Sequence, residues 1–158
     1  MSNKSRVRKH HHQPAMSPLL RALTYSRTAH EPVTAAMLLQ CYTALDAFRH
    51  GHGSRNLHMT LSRHLLVSQE LAHLGLGEDL LSDIESAHAA MVRLDAREHD
   101  SGEWVLDDGD YARVCTALAI LDGQLSVASL SEIASAEARM IEGLMKSAQV
   151  QALAEAAH

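Results

Sequence analysis

The chain has 158 residues, a formal net charge of −5, 46% hydrophobic residues and only 3% aromatics. That length fits one domain with tails. The scarcity of aromatic residues argues against a β-sandwich, leaving a core of Ala, Leu, Met and Val, which suits close-packed helices. The two cysteines, Cys41 and Cys115, both lie in apolar helical patterns, so a disulfide framework is excluded and both are expected to be buried and inert.

Charge is divided unevenly. Residues 1–30 hold six Lys or Arg and no acid, whereas the remainder holds eight bases against nineteen acids, a net of −11. The sequence therefore predicts a basic arm ahead of an acidic body. No apolar run reaches membrane-spanning length, and Met1 to His12 lacks the apolar centre of a signal peptide. A cytoplasmic protein is the expectation.

Residues 1–16 are polar, with Lys4, Arg6, Arg8 and Lys9 followed by His10, His11 and His12. Their composition predicts a disordered arm. Three consecutive histidines on such an arm hold no fixed coordination shell, so they are read as tail composition. Ser17-Pro18 pairs an N-cap residue with proline at the first helical position, predicting a short, mostly positive helix to about Arg27.

Glu31-Pro32 opens the next helix, to about His50, with Leu38, Cys41, Leu45 and Phe48 on its apolar face and Gly51 and Gly53 as stops. His50 falls in the last turn, where an imidazolium suits the helix dipole. Together with His52 it also makes a His-x-His pair. Ser54 caps a third helix ending at Gly75, with Leu57, Leu61, Leu65, Ser68 and Ala72 along one side. The short Gly75-Leu76-Gly77 link predicts an antiparallel hairpin.

The fourth predicted helix spans about Glu78 to Arg97, with acids in its first turns and a stripe of Leu80, Ile84, Ala87, Met91 and Leu94. His88 lies beside that stripe and is expected to be half-buried and hydrogen-bonded. Glu98 to Asp110 then reads as a long acidic loop, folded onto the bundle by Trp104 and ending in an N-cap at Asp107 or Asp108. An EF-hand is excluded here, because no frame aligns the first carboxylate, the sixth-position glycine and the twelfth-position glutamate.

The fifth helix is predicted from about Gly109 to Val127, with Tyr111, Val114, Cys115, Leu118, Leu121 and Leu125 inward. Ser129 and Glu132 form a capping box that opens the sixth. Leu130, Ile133, Met140 and Leu144 are its stripe, and it is expected to fray after about Lys146. Asp107 to Met145 is accordingly expected to be the surface on which the earlier helices pack. Asp122 and Glu137 lie close to the apolar seams, either paired inside or at an edge. The predicted fold is an all-α bundle of five or six helices over residues 17–148, with a frayed tail at 149–158.

Chemistry is weakly marked. Glu70 with His73 and Glu85 with His88 make two Glu-x-x-His spacings on adjacent helices. Carboxylate-bridged bundles place such motifs on alternate helices and add a glutamate from each of two others, so chance spacing is the simpler account. There is no nucleophile elbow, phosphate-binding loop or paired-cysteine motif. The reading is therefore no catalytic residue, no metal site and no cofactor. A helix-turn-helix with its turn at Leu74 to Gly77 would place a reading helix that begins Glu78-Asp79, which repels phosphate.

Two binding surfaces remain. The acidic segment with its tryptophan (Glu98, Asp100, Glu103, Trp104, Asp107, Asp108 and Asp110) is the candidate protein-binding surface, fitted to a basic groove on a partner. Lys4, Arg6, Arg8, Lys9, Arg21 and Arg27 are candidate phosphate contacts, whose grip would weaken with salt. Helices rich in Ala, Leu and Met also favour a homodimer.

Several short stretches carry a family resemblance: the basic start from Lys4 to Lys9 before Pro14, Ala44-Leu45-Asp46-Ala47 with Arg49 before Gly51, Leu74-Gly75-Leu76-Gly77, Gly102-Glu103-Trp104, and Ala119-Ile120-Leu121-Asp122-Gly123-Gln124-Leu125. In these the chain resembles a group of small helical proteins of unknown function from phages, plasmids and chromosomes of β-proteobacteria and pseudomonads, some of them labelled Fis-type regulators. The resemblance implies a mobile-element or accessory role, with a host or phage protein as partner, and brings no catalytic residue with it.

Overall fold

The computed structural model describes residues 30–156. The predicted arm, the short helix from Pro18 and the basic residues Lys4, Arg6, Arg8, Lys9, Arg21 and Arg27 lie outside the described residues. Within them are five α-helices and no strand: α1 (His30–Arg49), α2 (Arg55–His73), α3 (Leu81–Ser101, preceded by the 3-10 turn Glu78–Leu80), α4 (Asp108–Val127) and α5 (Leu130–Ala156).

Local chemistry accounts for most of the boundaries. Ser54 accepts the Leu57 N–H and starts α2. At its far end the Gly75 N–H reaches the Ala72 carbonyl and the Leu76 N–H reaches the Leu71 carbonyl, with Gly75 at φ 96°. This is a Schellman close, which needs a residue free to take left-handed φ. Asp107 accepts the Asp110 N–H and starts α4. In the capping box the Ser129 N–H donates to Glu132, and the Glu132 N–H donates to the Ser129 hydroxyl.

Three boundaries differ from the sequence reading. Helix α3 runs on through Glu98, His99, Asp100 and Ser101, and stops at Gly102, whose φ of 73° lets its N–H return to the Glu98 carbonyl. The irregular connection is thus only Gly102 to Asp107, and Glu98 and Asp100 belong to a helix. The tail predicted to fray continues as helix through Ala156. The start of the fourth predicted helix is a separate 3-10 turn.

As expected, all three earlier helices pack on the Asp107 to Met145 stretch: α1, α2 and α3 on α4, and α2 on α5. Helix α2 in addition packs against all four of the others. Its buried side chains, Leu61, Leu65, Val67, Ser68, Leu71 and Ala72, point in more than one direction, as a central helix requires. Phe48, Ile84, Leu94, Val114, Leu118, Leu121 and Leu125 close around it. Helix α4 lays Val114, Leu118, Leu121 and Leu125 inward as expected, with Ala117 and Gln124 joining them, while Tyr111 and Cys115 are only partly buried. Cys41 is fully buried, and burial pushes its thiol up to about 12. Cys115 is therefore the one of the two thiols that departs from the buried expectation.

One polar unit sits inside the apolar core. The Ser68 hydroxyl donates to Gln124 Oε1 at 2.6 Å, and Gln124 Nε2 donates to the Ser68 carbonyl at 3.0 Å and to the Leu76 carbonyl at 2.8 Å. It ties α2, the glycine link and α4 at a single point. Burial without these partners would be costly, and with them the register of α4 on α2 is specified.

Candidate binding surface

The acidic segment expected to face solvent is built as an ion-pair frame at the start of α4. The Asp110 side chain is almost wholly buried, at 3% exposure. Arg93 clamps it from α3 with two hydrogen bonds, Nε to Oδ2 at 3.0 Å and Nη2 to Oδ1 at 2.5 Å, and Arg113 adds a third to Oδ1 at 2.9 Å. These arginines hold its carboxyl below the usual carboxylate range against the opposing effect of burial. Asp107 uses one oxygen for the cap and the other for Arg97, at 3.0 Å, and its carboxyl too is lowered. Asp108 pairs with Arg49 at 3.1 Å, and the same guanidinium lies 4.4 Å from the centre of the Tyr111 ring.

Three of the seven residues expected to bind a partner are thus paired with arginines of the same chain, Asp107 and Asp108 at the surface and Asp110 in the interior. Asp110 is a correction to the sequence reading, because a buried carboxylate gripped by two arginines offers no charge at the surface. Sequence reasoning missed Arg49, Arg93, Arg97 and Arg113 altogether. Only Asp110 with Arg113, three residues apart on one helix, left a readable signal.

Trp104 meets its expectation of folding the connection down. Its ring lies 6.1 Å from Phe48 and 5.3 Å from His58, centre to centre. The Leu106 N–H donates to the Phe48 carbonyl, Arg97 donates to the Val105 carbonyl, and His58 donates from Nε2 to the Met91 carbonyl at 3.0 Å. Gly53 leaves room for this contact: a Cβ there would stand 2.4 Å from Phe48 and 2.5 Å from Trp104. Trp104 is a loop anchor and only partly available to a partner.

The surplus negative charge lies elsewhere. Glu78, Asp79, Asp83 and Glu85 are exposed at the start of α3, and Asp95, Asp100 and Glu103 at and just beyond its end. Among the described residues none of these makes an ion pair, while the two arginines on α3, Arg93 and Arg97, are engaged by Asp110 and Asp107. A groove of about 600 Å³ opens beside the first group, between the Gly75 to Asp83 turn and α4, and is lined by Leu76, Leu80, Ala119, Ile120 and Val127 with Asp83 on its wall.

The remaining candidates are placed as follows. Glu137 is half-buried at an edge, 3.7 Å from Arg63, and Asp122 is exposed. His50 donates from Nδ1 to the Asp46 carbonyl at 2.9 Å, consistent with the closing role read for it. Glu70 is half-buried, while His73 and Glu85 point to solvent. His88 is half-buried as expected, but its Nε2 has no hydrogen-bond partner among the described residues, and burial lowers its pKa. His64 donates from Nδ1 to the Thr60 carbonyl, and burial lowers its pKa as well. Among the described residues, no three His, Cys, Asp or Glu side chains come together at metal-binding spacing. Among the described residues, no helix is long and apolar enough to cross a membrane.

No protein-family model matches the chain, and no curated protein or solved structure matches it at a significant level.

Proposed function

We propose that this is a non-catalytic regulatory or inhibitory binding protein that docks its acidic helical body on a basic surface of a partner protein. The observation that carries this reading is the distribution of unpaired acid. Arginines neutralise the acids at the start of α4, and seven exposed carboxylates on and around α3 are left without a base among the described residues. Such a surplus of negative charge speeds encounter with a positive patch and selects against acidic surfaces, nucleic acid included. The resemblance to mobile-element proteins directs the search to host and phage proteins.

The test is affinity capture from nuclease-treated bacterial lysate, comparing the full chain with a variant carrying Asp79→Asn, Asp83→Asn, Asp100→Asn and Glu103→Gln. A stoichiometric protein that survives nuclease, weakens with salt and is lost by the variant supports the proposal. Loss of every partner on nuclease treatment refutes it. Binding would then be assigned to nucleic acid through Lys4, Arg6, Arg8, Lys9, Arg21 and Arg27.

A further inference from the structure

Helix α5 outruns its support. It is 27 residues long, whereas α2, its main packing partner, has 19 and begins at Arg55. Glu137 stands beside Arg63, and Leu144 lines a groove of about 540 Å³ with Asn56, Met59 and Leu66, so the two helices run antiparallel and α2 is exhausted near Leu144. Upstream, Ile133, Ala136 and Met140 are buried. Downstream, residues 141–149 are all exposed, including Ile141 at 47%, Leu144 at 51% and Met145 at 69%.

The apolar stripe does not stop where the bundle does. Ile141, Leu144, Met145 and Ala148 continue it at i, i+3, i+4 and i+7, the spacing of a helix–helix seam. A stretch such as 141–149, exposed throughout, has little to hold it as helix, since short isolated helices are marginal. Met59, exposed at 61%, and Leu66 extend the apolar surface across the groove.

We infer that this strip pairs with the same strip of a second copy, antiparallel, about a two-fold axis near Leu144. Charge selects that occupant. The body is strongly acidic, but the strip is flanked by charges of both signs: Glu142, 2.8 Å from Lys146 on one helix, also lies near the exposed Arg139. An antiparallel two-fold through Leu144 sets each Glu142 opposite the other copy's Lys146, so the surface is complementary to itself. Ile141, Leu144 and Met145 of each copy then cover the groove edge at Met59 and Leu66 of the other. None of the unpaired acids on and around α3 lines that groove. The strip is short, so a weak, reversible dimer is expected.

Analytical ultracentrifugation of the full chain, from about 1 to 300 μM, tests this. A monomer–dimer equilibrium is expected. Leu144→Glu and Ile141→Glu, both at exposed positions, are expected to raise the dimer Kd at least tenfold while circular dichroism stays unchanged. Glu142→Lys and Lys146→Glu should each weaken the dimer, and the double exchange should restore it. Three results would overturn the inference: a monomer throughout the range, a dimer indifferent to Leu144→Glu, or dimers that appear only after residues 1–29 are removed, which would mean that the chain covers its own strip.

Discussion

Replacing Gln124 with leucine keeps a side chain of similar size and removes its amide, so the outcome reports mainly on the buried hydrogen bonds. Gln124 is 5% exposed and Ser68 is fully buried. The change deprives the Ser68 hydroxyl, the Ser68 carbonyl and the Leu76 carbonyl of a partner. Each buried group left unpaired costs about 1–3 kcal/mol. All three losses are softened: a serine hydroxyl can turn to the carbonyl four residues back in its own helix, the Ser68 carbonyl keeps the N–H four residues on within α2, and Leu76 is only half-buried. The net expectation is about 1–2 kcal/mol of lost stability, a fall in Tm on the order of 5 °C for a domain of this size. Urea denaturation of the wild type, Gln124→Leu, Ser68→Ala and the double variant closes a cycle. Removing both partners should cost at least about 1 kcal/mol less than the sum of the single changes. A Gln124→Leu protein within about 0.5 kcal/mol of wild type, or an additive cycle, would refute the reasoning.

The ion-pair frame should matter for stability. Asp110→Asn is expected to cost about 1–3 kcal/mol in chemical denaturation, below the full cost of breaking a buried pair because Arg93 and Arg113 are each about half exposed and regain water. Since the Asp110 carboxyl is lowered in the folded chain, its contribution is present above the ordinary aspartate range and is lost as pH falls through that range. Gly53→Ala should cost about 1–3 kcal/mol by overpacking, because Phe48 is fully buried and cannot yield, and the fluorescence of the sole tryptophan, Trp104, should shift with it. His64 and His88 both have lowered pKa values, so the unfolded chain binds their protons first. Stability should be complete above about pH 6.5 and decline as pH falls below it, and urea titrations at pH 7.5 and 5.5 should show a smaller decline in His64→Gln.

What the sequence determined by itself was mainly local. Helical periodicity and sparse aromatics identified an all-α chain, and Ser54, Asp107 and the Ser129–Glu132 box marked helix starts, because a cap is satisfied within three residues of chain. Gly102 was equally legible as a stop, but the run of acids ahead of it read as a loop, and α3 was ended one turn early. The inward placement of Ser68 was also visible, since it shares a stripe with Leu61, Leu65 and Ala72. Its partner was not, because Gln124 lies 56 residues away and nothing local distinguishes it from a surface glutamine. For the same reason the acids at the start of α4 looked like a solvated patch until Arg49, Arg93 and Arg97 arrived from other helices. Only the tertiary structure decided which carboxylates remain available and that α2 sits among all four other helices. Both depend on the relative lengths and packing of helices far apart in sequence: α2 touches all four others, and α5 extends past the point where α2 can cover it.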